Sequence, residues 1–566
     1  MRFLLAAATA PLALPHVDYL SILPELILLG GALFLLASSS MLRHRMPPGT
    51  AAGWTSLISI AALTAALLQW HQITVHGPKV TVAGAIAMDG FSAFIAVLVT
   101  SATFLSALVG DSWLRREGAD GPEFHVLLMT SAAGAVIMGA ANDLIVVFLG
   151  LEILSIALYV LAAFNRRRLE SGEAALKYFI LGGFSSAIFL YGIALVYGAT
   201  GTTNLPQIAD FLAHNILLHN GLLLAGMALL LVGFSFKVAA VPFHMWTPDV
   251  YQGSPSPVVG YMAAVAKAGA FAAALRVFVM SFGILRTDWQ PVVWVLAVIT
   301  LVFGAIVALV QRDVKRMLAY SSINHAGFIL LGLEAATVKG VSASLYYLFA
   351  YTFMVIGTFA VVSVVGGTGD SAHGLDRYRG LAARRPYLAG SLALLLVAQA
   401  GVPFTTGFLA KLAVVSAAVS AHSTPLAVIA MASGAIAAFF YLRVIVLMYS
   451  PVNAAGKELP IADYEFSVAA MVPAAAGHIS EDLGDTDPIF GGIGGGTSTT
   501  ELSGSGDCSE GAGTAVGIDG NVEEYEEQSS PGVFIAIALC VGVTVVFGIF
   551  PAPLLDFAHK AVLLFG

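Results

Sequence analysis

Cysteine and charged side chains are both scarce in this chain. Its 566 residues include two cysteines, Cys508 and Cys540, and Asp, Glu, Lys and Arg together make up 11%. Two cysteines cannot ligate an iron–sulfur cluster or build a cysteine-rich zinc site, and they do not suggest a disulfide framework. We therefore expect any redox chemistry to take place in a partner protein.

Hydrophobic residues dominate instead. They make up 58% of the sequence, and the mean hydropathy is +0.87. A soluble globular chain is far less apolar. Because a membrane-spanning helix needs about 20 apolar residues, the composition predicts an all-α polytopic membrane protein and excludes large soluble catalytic domains.

Apolar stretches separated by short polar or Gly/Pro segments predict about 14 transmembrane helices. The twelfth stretch is too long for one simple span and contains Gly401-Val402-Pro403, so we expect a broken helix there. The predicted spans are 18–42, 51–70, 87–110, 123–141, 143–164, 173–200, 220–245, 255–282, 290–311, 315–335, 340–366, 387–421, 425–450 and 531–553.

The distribution of basic residues predicts the orientation. Loops after odd-numbered spans carry fifteen Lys and Arg, whereas the other side carries five. The positive-inside rule therefore places the odd loops in the cytoplasm and both termini on the outer, periplasmic side. Arg2 and the apolar run 3–14 resemble a signal peptide, although an uncleaved leading segment is equally compatible with the sequence.

One segment differs from the rest in composition. Residues 472–530 contain twelve acids and no Lys or Arg, which accounts for the net charge of −8 and leaves +4 elsewhere. The segment is rich in glycine and poor in apolar periodicity, a composition that does not offset the entropy of folding. We interpret 451–530 as an acidic, disordered cytoplasmic loop.

Two helix interruptions suggest an internal repeat. Val241-Pro242-Phe243 in span 7 and Val402-Pro403-Phe404 in span 12 occupy matching places if spans 4–8 and 9–13 are two five-helix units. Units with an odd number of spans must be inverted relative to each other, as in many secondary transporters. The predicted organisation is 1–122 for spans 1–3, 123–282 and 290–450 for the repeats, 451–530 for the loop, and 531–566 for the last span and C-terminus.

Six basic residues fall inside predicted spans. A charge at the centre of a spanning helix costs at least about 2.5–3.5 kcal/mol, so such residues usually pair, line water or move ions. Arg276 and Arg443 lie nearer helix ends, where their side chains can extend to the interface. The six are Lys177, Lys237, Lys267, Arg276, Lys411 and Arg443.

We predict that Lys237 forms an ion pair with Glu152, which is the only acid in an otherwise apolar fifth span. A lysine beside a hydrated helix break can release its proton, whereas the alternative is a permanent salt bridge. Lys177 and Lys267 would continue the polar line. Glu173, one turn before Lys177, could instead form a merely local bridge with it.

Span 10 carries a polar run that could connect the two repeats. An imidazole both accepts and donates protons, so His325 is a relay candidate, with a satisfied core histidine as the alternative. The run consists of Ser321, Ser322, Asn324 and His325.

Several of these segments together resemble a known family. Trp246-Thr247-Pro248-Asp249-Val250-Tyr251-Gln252-Gly253, Gly150-Leu151-Glu152, Glu173–Tyr178 and Gly407-Phe408-Leu409-Ala410-Lys411 are similar to the antiporter-like membrane subunits of bacterial proton-pumping NADH:quinone oxidoreductase, respiratory complex I. The first of these runs is typical of subunit N rather than of its paralogues L and M. The resemblance covers nearly the whole chain, except for the acidic insert, whose length is unlike the short connection expected.

The resemblance implies a relay in which Glu152 and Lys237 are the paired acid and base. Lys267 matches the central lysine, Lys411 the exit-side lysine, and Glu173 and Lys177 a further charged pair. It also implies that NADH, FMN, iron–sulfur clusters and quinone belong to partner subunits and that this chain binds no cofactor.

The expected setting is the bacterial inner membrane. The expected partners are the lipid bilayer and other membrane subunits, both antiporter-like paralogues and small subunits, with no nucleic acid. Two other functions are compatible with the fold, a Na⁺/H⁺ antiporter subunit and a structural subunit that moves no protons.

Overall fold

The structure is a computed structural model that describes residues 17–41, 47–119, 121–215, 220–451 and 530–561. Within these ranges the chain is helical apart from connections and one antiparallel hairpin, β1 (Lys79–Thr81) and β2 (Ile86–Met88). The predicted all-α membrane fold is confirmed. The possible signal peptide and most of the acidic loop lie outside the described residues.

The helices follow the predicted spans closely. In the first half they are α1 (Leu23–Met41), α2 (Thr50–His76), α3 (Gly90–Glu117), α4 (Pro122–Ala140), α5 (Leu144–Ala162), α6 (Leu169–Thr200), α7 (Leu205–His214), α8 (Gly221–Val238), α9 (Trp246–Gly253) and α10 (Ser256–Ser281). The second half contains α11 (Arg286–Leu309), α12 (Val314–Glu334), α13 (Val338–Val365), α14 (Pro386–Ala400), α15 (Thr406–Ser420), α16 (Thr424–Tyr449), α17 (Pro531–Ile549) and α18 (Ala552–Lys560).

Twelve helices in the described part of the chain are long and apolar enough to cross a membrane. Two predicted spans are not in this set. One is span 10, which is the more polar helix α12. The other is the broken span 12, which consists of α14 and α15 with 15 residues each. The total of fourteen spans and the inverted repeat therefore stay predictions.

Polar caps define where several helices begin. The side chains of Asp89, Asp143, Asp313 and Thr405 each accept a hydrogen bond from a backbone N–H in the first turn of α3, α5, α12 and α15, respectively. Such caps satisfy backbone donors that have no partner inside the helix. In a chain with few polar residues, these positions fix the helix starts.

Both predicted helix breaks are confirmed. α8 ends at Val238, followed by Ala239 in a left-handed conformation, and the chain becomes helical again at Trp246. α14 ends at Ala400, followed by Gly401 at φ +90°, and α15 begins at Thr406. Each break lies next to a buried lysine, Lys237 on the first and Lys411 on the second.

The most deeply buried helices lie at the junction of the two halves. The apolar window of α10 is completely buried and that of α13 is 94% buried, whereas α6 and α16 bury a third. α10 contains two π-helical turns, Met262–Ala266 and Arg276–Ser281, and the first ends directly before Lys267. Polar side chains on α10, α12 and α13 therefore point into the interior of the bundle.

The prediction that the Arg276 side chain extends to the membrane interface is wrong. Both Arg276 and Asp89 are completely buried. The guanidinium donates to both carboxylate oxygens of Asp89 at 2.8 and 2.9 Å and to the carbonyl of Gly139. Arg276 thus ties α10 to the start of α3 and the end of α4. Arg443, in contrast, is exposed and donates to the carbonyl of Leu309.

A second buried charge cluster lies in the connection between α13 and α14. The carboxylate of Asp370 accepts from Lys315 Nζ at 3.1 Å, His373 Nε2 at 2.9 Å, and the backbone N–H and hydroxyl of Ser256. Arg168 donates to the Asp370 carbonyl. Burial opposes ionisation, but the Lys315 charge and these donors hold the pKa of Asp370 well below its usual range. The cluster joins the starts of α10 and α12.

We expect Asp370→Asn to lower the free energy of unfolding by about 1.5–3 kcal/mol, because an amide loses the charge-assisted hydrogen bonds. A lowered pKa stabilises the fold above the ordinary carboxyl value near 4 and loses this contribution as the pH falls through the lowered value. The variant should therefore melt at a lower temperature than the wild type at about pH 7.5, where Asp370 is ionised in both the folded and the unfolded chain. Equal melting temperatures at this pH contradict this assignment.

Candidate functional site

The first buried lysine is held by two hydroxyl groups. Lys237 occupies the last turn of α8, and its ammonium donates to Ser155 Oγ on α5 at 2.7 Å and to Tyr178 OH on α6 at 3.3 Å. The ammonium also lies 5.7 Å from the centre of the Tyr159 ring and 5.3 Å from that of Tyr178. A cation near aromatic faces and hydroxyls is stabilised without a permanent counter-ion.

The predicted pairing of Glu152 with Lys237 is not a direct contact in the described structure. Within the described residues no salt bridge joins them, and Ser155, one turn further along α5, takes the ammonium instead. Glu152 is partly buried, with one carboxylate oxygen that lacks a hydrogen bond, and its charge still acts on Lys237. The sequence correctly placed α5 next to Lys237, but it did not indicate that Ser155, rather than Glu152, makes the contact.

Lys177 and Glu173 form the local bridge that we gave as the alternative. Their side chains are 2.7 Å apart and 43% and 62% exposed, respectively. Lys177 also contacts Asp249 on α9 at 2.8 Å, and Asp249 contacts Arg316 on α12 at 2.9 Å. This half-exposed network connects α6, α9 and α12, so Lys177 does not lie in the buried line with Lys237.

The second buried lysine connects the two halves of the chain. Lys267 on α10 donates to the carbonyl and, at 2.6 Å, to the hydroxyl of Ser322 on α12. The same hydroxyl accepts from Tyr351 on α13 at 2.8 Å and lies 3.2 Å from Tyr251 OH on α9. Ser322 is therefore the point at which the groups of both halves meet.

His325 lies one turn further along α12 and contacts only the second half by hydrogen bonds in the described structure. Its Nδ1 lies 2.7 Å from Tyr347 OH, and its Nε2 lies 3.1 Å from Tyr441 OH. Tyr441 also contacts Ser321. Of the polar run on α12, Ser322 and not His325 makes the predicted bridge to the first half.

The third buried lysine lies at the second helix break. Lys411 on α15 donates to the carbonyl of Ala400, the last residue of α14, at 2.8 Å. Its ammonium is 4.9 Å from the centre of the Phe328 ring, which stacks on Tyr347. Phe328 thus contacts both Lys411 and Tyr347, which is a hydrogen-bond partner of His325.

Two residues that sequence reasoning missed hold the first break. The Trp246 indole donates to the carbonyl of Phe236 at 2.9 Å, and the N–H of Val241 donates to Thr300 Oγ1 at 2.9 Å. Trp246 belongs to a motif that we singled out for its family likeness, whereas Thr300 on the apolar α11 gives no sequence signal. Thr300 thus satisfies a backbone N–H that the broken helix leaves without a partner, whereas the Phe236 carbonyl accepts from Trp246 in addition to the Ala239 N–H.

We expect Thr300→Val to cost about 1–3 kcal/mol of stability, because it leaves the buried N–H of Val241 unsatisfied. Thr544→Val is a matched control, since Thr544 is equally buried and donates only within its own helix, to the Cys540 carbonyl, in the described contacts. Thermal unfolding of the two variants checks this. Equal melting temperatures would show that Thr300 does not support the break.

The buried polar groups of the site are of kinds that can bind and release protons. Lys237, Lys267, Lys411 and His325 are each at most 8% exposed, and hydroxyl groups lie between them. In the described residues, no group of three or more His, Cys, Asp or Glu side chains is placed to hold a metal ion. Amines, an imidazole and hydroxyls in the interior of a membrane protein can pass protons between neighbours.

Comparisons with known proteins agree with this chemistry. Residues 141–437 match the transmembrane family described as NADH:quinone oxidoreductase/Mrp antiporter. NADH-quinone oxidoreductase subunit N of Trichlorobacter lovleyi is 42% identical over 433 residues, which cover 76% of this chain and 87% of the relative. Subunit N of Mycobacterium tuberculosis is 37% identical over 97% of this chain and 98% of its own.

A solved structure supports the same assignment. A chain of respiratory complex I from Thermus thermophilus with bound aureothin superposes with a TM-score of 0.68 at 28% identity, over 94% of this chain and 98% of that chain. The match therefore extends over both halves of the chain. This chain belongs to the subunit N family of NADH:quinone oxidoreductase, the antiporter-like membrane subunits of respiratory complex I.

Proposed function

We propose that this chain moves protons from the cytoplasm outward through Lys237, Lys267, His325 and Lys411, coupled to electron transfer in partner subunits. The contact that carries the proposal is that of Lys267 with Ser322, because it joins buried proton carriers from both halves of the molecule. A chain that only spaced other subunits would have no need to bury three lysines in its interior, at a cost of about 2.5–3.5 kcal/mol each.

The Lys237 and Lys267 groups are not joined by a continuous hydrogen-bond chain among the described side chains. Tyr178, which accepts from Lys237, stacks on Trp246 with ring centres 4.5 Å apart, and Tyr251 lies beyond. Proton transfer between the two lysines therefore needs water or a shift of these rings. We propose that rearrangement of these stacked rings controls proton transfer between Lys237 and Lys267.

Glu152 acts on Lys237 at a distance in this proposal. Its charge stabilises the ammonium without a direct contact, so movement or neutralisation of Glu152 favours release of the Lys237 proton. Glu173, Lys177, Asp249 and Arg316 form a half-exposed network outside the buried line. We assign this network to holding α6, α9 and α12 together.

In this proposal the chain lies in the bacterial inner membrane with both termini outside. Its partners are other membrane subunits of complex I. NADH, FMN, iron–sulfur clusters and quinone bind to subunits other than this one. The basis is the distribution of Lys and Arg between alternate loops and the names of the relatives.

The test uses the assembled complex in sealed vesicles, with NADH oxidation and proton uptake measured together. Combined neutralisation of Lys237, Lys267 and Lys411 should abolish the proton movement that depends on this chain. Lys339→Ala is the control, because Lys339 is exposed and contacts Ser416 and Ser420 near the surface. Unchanged proton uptake per NADH in the triple variant would favour a purely structural subunit.

The same vesicles distinguish a sodium antiporter. The family description includes Mrp antiporters. Uptake of protons driven by a sodium gradient without NADH would support that function. Proton uptake that requires NADH and is unchanged without sodium supports the relay.

A further inference from the structure

The two helix breaks satisfy their backbone carbonyls in different ways. At the first break the Phe236 carbonyl accepts from the backbone N–H of Ala239 and from the neutral indole of Trp246. At the second break the donor to the Ala400 carbonyl is the ammonium of Lys411 itself. A helix C-terminus carries partial negative charge, so an ammonium is a favourable ligand for it. The second break thus holds a proton carrier directly.

Gly401 provides the space for this contact. It follows the end of α14 at φ +90°, a conformation that L side chains rarely adopt. A Cβ atom at this position would lie 2.9 Å from Lys411 Cδ and 3.5 Å from Nζ. The aliphatic stem of Lys411 therefore passes directly over the glycine, and any side chain at 401 would displace the stem.

Gly434 approaches Lys411 less closely than Gly401 does. A Cβ at Gly434 would meet Lys411 Nζ at 3.9 Å and Phe328 Cζ at 3.5 Å, which are ordinary contact distances. The Phe328 ring faces the ammonium. A side chain at Gly401 would therefore crowd Lys411 much more than one at Gly434.

We propose that Ala400 and Gly401 form a cradle that positions Lys411, and that Gly401 is a positioning residue for proton transfer through it. This inference rests on the proposed relay. The cradle aligns the amine between the Phe328 face and the helix end. Displacement of the stem removes the ammonium from the carbonyl and misaligns it with the preceding proton carrier.

The test compares Gly401→Ala with Gly201→Ala in the assembled complex. Gly201 ends α6 at φ +75°, and a Cβ there meets nothing within 4 Å, so both variants carry a similar backbone strain but only Gly401→Ala displaces a lysine. A shift of about 1 Å in a transferring group can cost up to about 100-fold in rate. We expect Gly401→Ala to lose at least about half of the proton uptake per NADH, and Gly201→Ala to keep it.

Combination with Lys411→Ala distinguishes positioning from a purely structural role. If Gly401 acts through Lys411, Gly401→Ala causes no further loss of proton uptake in the Lys411→Ala background. An additive loss, or equal effects of the Gly201 and Gly401 variants, overturns the cradle. If Gly401→Ala does not assemble, Gly401→Asn is used with Gly201→Asn, because Asn tolerates positive φ but still carries the clashing Cβ.

Lys411→Ala alone distinguishes failure of the proposed relay from failure of the proposed cradle. Normal proton uptake in Lys411→Ala contradicts the relay itself. Loss in Lys411→Ala together with wild-type uptake in Gly401→Ala and Gly401→Asn contradicts only the cradle.

Discussion

Lys237→Ala should reduce proton uptake per NADH by about 100-fold or more in the part of the flux that passes through this chain, because an acid–base group contributes at least about that factor. The variant removes the ammonium that donates to Ser155 and Tyr178 and leaves no proton carrier at the end of α8. Simultaneous records of pH and NADH oxidation in vesicles with the assembled complex measure this ratio.

Lys237→Arg tests whether release, rather than charge, matters. A guanidinium remains protonated in proteins and can donate to Ser155 and Tyr178 but cannot release its proton. We therefore expect Lys237→Arg to assemble well and yet to lose proton uptake. Wild-type coupling in Lys237→Arg, or in Lys237→Ala, would contradict the proposed role of this residue.

Glu152→Gln should have a smaller effect than either lysine variant, because Glu152 makes no direct contact with Lys237. If both residues act in one step, the Glu152→Gln/Lys237→Ala double variant should lose no more than Lys237→Ala alone. A further loss in the double variant would place Glu152 in a separate step. The same vesicle assay decides between these outcomes.

Arg276→Met should produce the largest loss of stability, about 3–5 kcal/mol, because it removes the guanidinium from a completely buried carboxylate. The substitution also removes the hydrogen bond from Arg276 to the Gly139 carbonyl, and it weakens the attachment of α10 to α3 and α4. Melting temperature of the purified complex and yield of assembled complex are the measurements.

Two further variants test the origin of this loss. Arg276→Met/Asp89→Asn should regain part of it, since the buried charge is then removed while the amide oxygen can still cap α3. Arg443→Met is the control, because Arg443 is exposed and should change stability by less than about 1 kcal/mol. Equal effects of Arg276→Met and Arg443→Met would show that burial of the Arg276 pair contributes little.

The sequence predicted the helices and both breaks because hydropathy and proline act locally. Stretches of about 20 apolar residues need no knowledge of their neighbours, and Pro242 and Pro403 interrupt helices by their own chemistry. The buried lysines could also be identified, since a charge within an apolar span is costly wherever its partner lies.

The contacts between helices could not be predicted, because they depend on how each helix is rotated. Ser155 and Glu152 are one turn apart on α5, and the rotation of α5 decides which of them meets Lys237. Arg276 and Asp89 are separated by 187 residues, so nothing local to either indicated the pair. Thr300 is one hydroxyl on an apolar helix, and its role becomes visible only where α11 passes the break.

The hydrogen bond from Val241 to Thr300 links the energetics of the two halves. It joins the interruption beside Lys237, in the first half, to α11, in the second half. The free energy of this hydrogen bond therefore depends both on the conformation of the interruption and on the position of α11. Such coupling is reciprocal. If protonation of Lys237 shifts the interruption, it must bias α11 by the same free energy as an equivalent displacement of α11 biases the interruption, so that each half influences the other.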